Sequence, residues 1–154
     1  MKELLEYRKN LLKRLSAAAQ EFRAACEAAQ DIRKPIEDGW NVHQLAAHTR
    51  DVDKLVYGMR VRRTATEQNP LFGNFDAEAH HAEHYDPNEP LDKILYEFTS
   101  SVNDLAGWLK TLPDDAWSRE SRHETQGGGL TLQTWVERAL AHIEEHLHSV
   151  KKAS

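Results

Sequence analysis

The stretch "ALAHIEEHLHSV" carries His142 and His146 four residues apart, a separation that stacks two imidazoles on one helix face, one turn from each other. Neutral imidazole is a ligand for zinc, nickel, iron(II) or copper(II), so a pair placed this way can grip one ion. A third candidate, His48 in "GWNVHQLAAHTRDVD", follows Leu45 by three residues and precedes Val52 by four. On amphipathic helices these three rings share the inward stripes that hold Leu45, Val52, Leu132, Trp135, Ala139 and Val150. Imidazoles buried without partners are costly, because desolvation penalises the ring nitrogens and disfavours the charged form. A shared divalent cation removes that cost. Three protein ligands with one position left open describe a catalytic site rather than a closed structural one.

Four helices are available to position the rings. In the first, Leu4, Leu11, Leu15, Ala18, Phe22, Ala25 and Ala29 recur at helical steps, predicting a helix from about Lys2 to Ala29. The second starts at Asn41, where Asn41 and Gln44 have capping-box spacing and Trp40 and Leu45 that of a hydrophobic staple, and it ends near Thr64. Pro90 opens the third, which carries Leu91, Ile94, Leu95, Phe98, Val102, Leu105, Trp108 and Leu109 before Pro113 closes it. Thr131 caps the fourth, with Leu132, Trp135, Ala139, Ile143, Leu147 and Val150 on its apolar stripe. No segment alternates as a strand does. The expectation is an all-α four-helix bundle, a single domain over residues 1–154. The polar linkers, residues 65–89 and 112–130, are expected to be irregular, with "QGGGL" a flexible lead-in to the fourth helix.

The metal reading constrains topology. His48 lies early in its helix and His142 and His146 late in theirs, so the rings meet only if helices two and four are antiparallel. A plain up-down-up-down bundle makes those helices parallel and separates the rings by roughly 20 Å or more. One long crossover, at either linker, solves this, giving up-down-down-up or up-down-up-up.

Composition removes other classes. The net charge is -5 and the cations are scattered, which argues against a nucleic-acid partner. No apolar run approaches a membrane span, and "MKELLEYRKNLLKRL" is charged where a secretion signal is apolar, so a soluble cytoplasmic protein is expected. Cys26 is the single cysteine, leaving metal chemistry to carboxylates and the nine histidines.

The blocks "GWNVHQLAAHTRDVD" and "GGGLTLQTWVERALAHIEEHLHSV" resemble the DinB/YfiT-like family of four-helix, metal-dependent enzymes, the first its tryptophan-led second helix, the second its Gly-Thr-Leu start and paired histidines. The resemblance implies that His48, His142 and His146 are metal ligands, that the order is up-down-down-up with the crossover at residues 65–89, and that the assembly is a homodimer. It also implies chemistry on a small-molecule substrate with a low-molecular-weight thiol as cosubstrate, since characterised relatives include thiol-dependent transferases and a thiol-dependent isomerase. The chain departs from the family at Glu145, where a further histidine is common, and at Ser149, where a glutamine is common; the three ligands are unaffected.

The remaining candidates have plainer readings. His80, His81 and His84 in "FDAEAHHAEHYD" have helical ligand spacing but polar neighbours, and are expected in a solvated linker. His43 and His123 are expected at exposed loop or helix-start positions, and His148 on another face of its helix. Cys26 reads as core packing. Asp51 and Glu145 stand near ligands and could orient a ring or relay a proton, although surface pairing is the ordinary role. The leading functional reading is a mononuclear enzyme of thiol-transferase or hydrolase type, with zinc, nickel or iron as its metal. The alternatives are a non-catalytic, metal- or small-ligand-binding stress-response protein and a plain bundle acting through a dimer interface.

Overall fold

Apolar residues at every third or fourth position make the first segment a helix, α1 (Lys2–Ala28), which buries Leu11, Leu12, Leu15, Ala18, Ala19, Phe22 and Cys26 along one side. The computed structural model describes residues 1–153. The second long helix starts at the expected capping box, in which Asn41 Oδ1 accepts from Gln44 N at 2.8 Å and Gln44 Oε1 from Asn41 N at 2.9 Å. It runs as α2 (Val42–Val52), a π-helical segment (Asp53–Gly58) and α3 (Met59–Thr66), whose junctions at Val52 and Gly58 keep right-handed helical backbone. The three therefore form one continuous rod. The third long helix, α5 (Leu91–Lys110), follows Pro90, and the fourth, α6 (Leu132–Ala153), is capped by Thr131, whose Oγ1 accepts from Thr134 N at 3.1 Å.

Four long helices enclose one apolar core. Phe22, Leu45, Ile94, Leu95, Phe98, Leu132, Trp135 and Ile143 are fully buried, and Phe22 meets Phe98 edge to face with centroids 5.4 Å apart. Among the described residues no helix is long and apolar enough to cross a membrane.

The linkers are more ordered than expected. Residues 65–89 contain β1 (Leu71–Phe72) and α4 (Ala77–His84), and residues 112–131 contain a 3-10 turn (Asp114–Ser118) followed by β2 (Glu120–His123) and β3 (Gly127–Thr131). The strands form a sheet in the order β1-β2-β3, with Phe72 beside His123 in the parallel pair and Ser121 opposite Leu130 in the antiparallel one. "QGGGL" is thus a hairpin strand rather than a flexible lead-in. Gly127 (φ 91°) and Gly129 (φ 73°) hold left-handed backbone that other residues resist. The hairpin is pinned to the bundle by Trp135, whose indole N–H donates to Ser121 Oγ at 2.7 Å, while Ser121 Oγ donates to the Leu130 carbonyl at 2.8 Å.

Candidate metal centre

The inward stripe of α2 delivers His48 to the stripe of α6 that carries His142 and His146. The Nε2 atoms of His48 and His142 are 3.4 Å apart, and those of His142 and His146 are 3.1 Å apart. One ligand atom from each ring lies within 4.8 Å of the others. The structure therefore brings together the three residues singled out by spacing. They meet because the rod and α6 cross in opposite senses: His48 faces His142 and His146, Tyr57 faces His142 at 5.3 Å between centroids, and Arg60 lies over Trp135 at 4.8 Å.

This arrangement fits a cation. At metal–nitrogen distances near 2.0–2.1 Å, adjacent ligand nitrogens stand roughly 3.0–3.4 Å apart, the range the two shortest pairs occupy. Hydrogen bonding among the rings cannot satisfy all their nitrogens. His142 Nε2 faces two rings and holds at most one proton, and Nδ1 of both His142 and His146 is buried without a hydrogen-bond partner. Electrostatics favour the neutral, ligating form. Burial, followed by the charges of His146 and His81, lowers the His48 pKa to about 4. Burial, with His146 and His48, lowers that of His142 to about 3. Burial also lowers that of His146, against the pull of Glu37 and Glu145.

Several neighbours were not evident from spacing. Glu37 Oε2 stands 3.6 Å from His146 Nδ1, and Ser149 Oγ donates to Glu37 Oε1. Glu37 reaches this place through the tight "EDGW" turn, in which it bridges to Trp40 and both Asp38 (φ 49°) and Gly39 (φ 84°) are left-handed. That turn motif was the available signal. Trp40 packs edge-on against His48 at 5.2 Å, and His81 stacks on Trp40 at 4.3 Å.

The other histidines divide differently from expectation. His80, His81 and His84 belong to a short helix, not an irregular linker. His80 Nε2 lies 3.3 Å from Asp51 Oδ2 and its ring stacks on His84, away from the three-histidine group. His81 faces Trp40, and its Nε2 is buried without a partner. Asp51 also takes a hydrogen bond from Arg50 at 2.9 Å in a half-buried ion pair, and Glu145 is exposed.

His43 and His123, expected to be exposed, are 1% and 4% accessible. The segment before α5 folds back over the start of α2, where His43 Nε2 meets the Glu89 carbonyl at 2.7 Å and Nδ1 meets Tyr85 Oη at 2.6 Å. His123 is covered because its strand packs onto the bundle. His148 is exposed and outside the three-histidine group. Cys26 is fully buried, and that burial, with Glu27 second, raises its thiol pKa to about 12, consistent with packing.

A model of the DinB superfamily matches residues 3–150. The chain belongs to the DinB superfamily. No curated protein matches the sequence of this DinB-superfamily member. Among solved structures it is similar to YfiT from Bacillus subtilis, described as a probable metal-dependent hydrolase with an unusual four-helix bundle topology. The two share 22% identity over 96% of this chain and 85% of that one, with a TM-score of 0.85. At that identity the likeness establishes the fold, a four-helix bundle, and in this DinB-superfamily chain the bundle carries the small sheet described above.

Proposed function

We propose that this protein is a mononuclear metalloenzyme of hydrolase or thiol-transferase type, with His48, His142 and His146 as ligands of a divalent zinc, nickel or iron ion. The observation that carries this reading is the convergence of three Nε2 atoms, with 3.1 and 3.4 Å between neighbours, in surroundings that keep the rings neutral. A bound divalent metal supplies a Lewis acid that lowers the pKa of a water or thiol brought to its open side. The protein's own residues set the geometry. The two turns of α6 fix the spacing of His142 and His146, Glu37 turns the His146 ring, and Trp40 with His81 screens one flank of His48 from water.

The up-down-down-up order belongs to this reading. It is supported by contacts that advance together from α1 to α6 (Arg8 with Gln133, Arg14 with Glu144) and from the rod to α5 (Arg50 with Glu97, Arg62 with Trp108). Contacts between the rod and α6 run in opposite senses. A small-molecule substrate, a low-molecular-weight thiol cosubstrate, a homodimer and a cytoplasmic location complete the proposal.

Elemental analysis tests it. Purified wild type is expected to hold stoichiometric metal and the His48→Ala, His142→Ala double variant to hold almost none; equal metal in both sinks the reading. Turnover of ester and amide panels without added thiol identifies a hydrolase, and turnover that requires thiol identifies a transferase.

A further inference from the structure

Beyond the three histidines the same stripe of α6 continues to Arg138, one turn before His142, and to Trp135. On the facing rod Tyr57, which packs against His142, is followed one turn later by Arg60. Both guanidiniums lie over the Trp135 ring, Arg60 at 4.8 Å and Arg138 at 5.2 Å from its centroid. Neither pairs with a carboxylate among the described residues, although Arg14, Arg23, Arg50 and Arg63 all do.

Arg60 is the anomaly, because it is 6% exposed and its Nε is buried with no partner. Desolvating an ion costs more than a cation–π contact returns, so the aromatic ring alone does not balance the charge. Its one clear acceptor is the Gly73 carbonyl, 3.0 Å from Nη2. The same Nη2 lies 3.5 Å from His123 Nε2, a hydrogen bond only in the tautomer that carries the ring proton on Nδ1. Backbone N–H groups of Thr125 and Gln126 donate to His123 Nδ1 at 3.2 and 3.3 Å, and the Thr125 hydroxyl lies 3.3 Å from the same nitrogen, three donors that favour the tautomer with the ring proton on Nε2. Two donors therefore face each other with no acceptor of the protein between them. Arg138 joins the same cluster, because its Nη1 donates to Gln126 Oε1, the residue whose backbone N–H caps His123. The nearest acid in sequence, Glu124, accepts from Asn74 N at 2.7 Å instead.

We infer that Arg60, Arg138 and the Nε2–H of His123 form an oxyanion-binding subsite for a small substrate or cosubstrate bearing a carboxylate or phosphate group. Arginine's planar fork suits either oxyanion, and a third donor beside it completes a small cradle. Arg138 lies roughly 6 Å along its helix from His142, so a small molecule anchored there extends its reactive carbonyl, phosphoryl or thiol toward the histidines. The π-helical segment makes this possible. Tyr57 within this segment and Arg60 just after it both face α6, and such an extra residue in a helix recurs at functional sites. The inference rests on the metalloenzyme reading for what the anchored molecule undergoes, not for the binding itself.

The test uses the full chain with whatever metal it purifies with, titrated with succinate and with inorganic phosphate. Chloride at matched ionic strength and neutral succinamide serve as controls, read by melting temperature and calorimetry. A saturable rise with succinate or phosphate and none with the controls is expected, the stronger of the two naming the oxyanion. In Arg138→Gln, a half-buried position with no ion pair, affinity is expected to fall at least tenfold. Arg60→Lys, which keeps the charge but loses the fork, is expected to fall similarly. No response beyond chloride, or equal responses in wild type and both variants, overturns the inference. Metal content measured on the same samples separates the two claims: metal-free wild type defeats the metalloenzyme reading whatever the anions do, and metal-loaded wild type without an anion response defeats only the subsite.

Discussion

Glu37 holds a carboxylate oxygen 3.6 Å from Nδ1 of His146, on the side of the ring opposite the nitrogen that meets His142. A carboxylate in that place favours the tautomer with its proton on Nδ1, leaves Nε2 free to ligate, and makes the ring a stronger base. Glu37→Gln keeps the shape and removes the charge. Metal affinity, measured by competition with a chromophoric chelator, is expected to drop about 10- to 100-fold. Ser149→Ala, which removes the other contact of Glu37, should change affinity much less. A Glu37→Gln protein with wild-type affinity shows that the carboxylate serves only the turn and Ser149.

Buried groups on the rod and α6 give the metal-free protein two opposed pH dependences. His48 and His142 titrate near 4 and 3 when folded, below the ordinary 6.5, because burial disfavours their charged forms. The native state thus binds fewer protons than the unfolded chain between these values. Their contribution to stability is complete above pH 6.5 and is lost as pH falls toward 4 and 3. Asp53 behaves in the opposite sense, its pKa raised by burial from 3.8 to about 7, so its contribution is complete below 3.8 and is lost as pH rises through about 7. Urea midpoints of metal-free protein are therefore expected to fall on acidification from pH 6.5, and His142→Leu to flatten that fall. Asp53→Asn is expected to exceed wild type above pH 7 while matching it near pH 4. A variant with the wild-type pH profile places Asp53 in contact with water.

The chemistry was more legible in the sequence than its setting. Steps of three and four reveal the stripes holding His48, His142 and His146, since helical periodicity reports which side is buried and the ring nitrogens then need a partner. The capping box at Asn41 located the start of the rod. Strands β2 and β3 gave no comparable signal. Each has only a few residues, β3 is led by three glycines, and β1 pairs with β2 across some fifty residues of chain. Glu37 was hidden because it acts from a turn, where periodicity carries no information. His43 and His123 are buried against local expectation because their cover comes from distant segments folding back. Nothing in a local pattern marks the π-helical segment, which packs against α6 through Tyr57.

That segment makes a sharper demand on one residue than the pattern suggests. A Cβ at Gly58 would stand 3.0 Å from the Asp53 carbonyl oxygen, backbone that cannot move without changing the turn. Glycine to alanine inside a regular helix ordinarily stabilises by about 0.5–1 kcal/mol. Gly107 in α5, whose Cβ would meet nothing within 4 Å, is expected to follow that rule. Gly58→Ala is expected to reverse it and destabilise by about 1–2 kcal/mol, through crowding or through conversion of the π turn to α, which rotates Tyr57 and Arg60 away from α6. Paired denaturation curves of the two alanine variants separate these effects. Equal stabilisation by both shows that the carbonyl yields without strain and that the π turn does not depend on glycine.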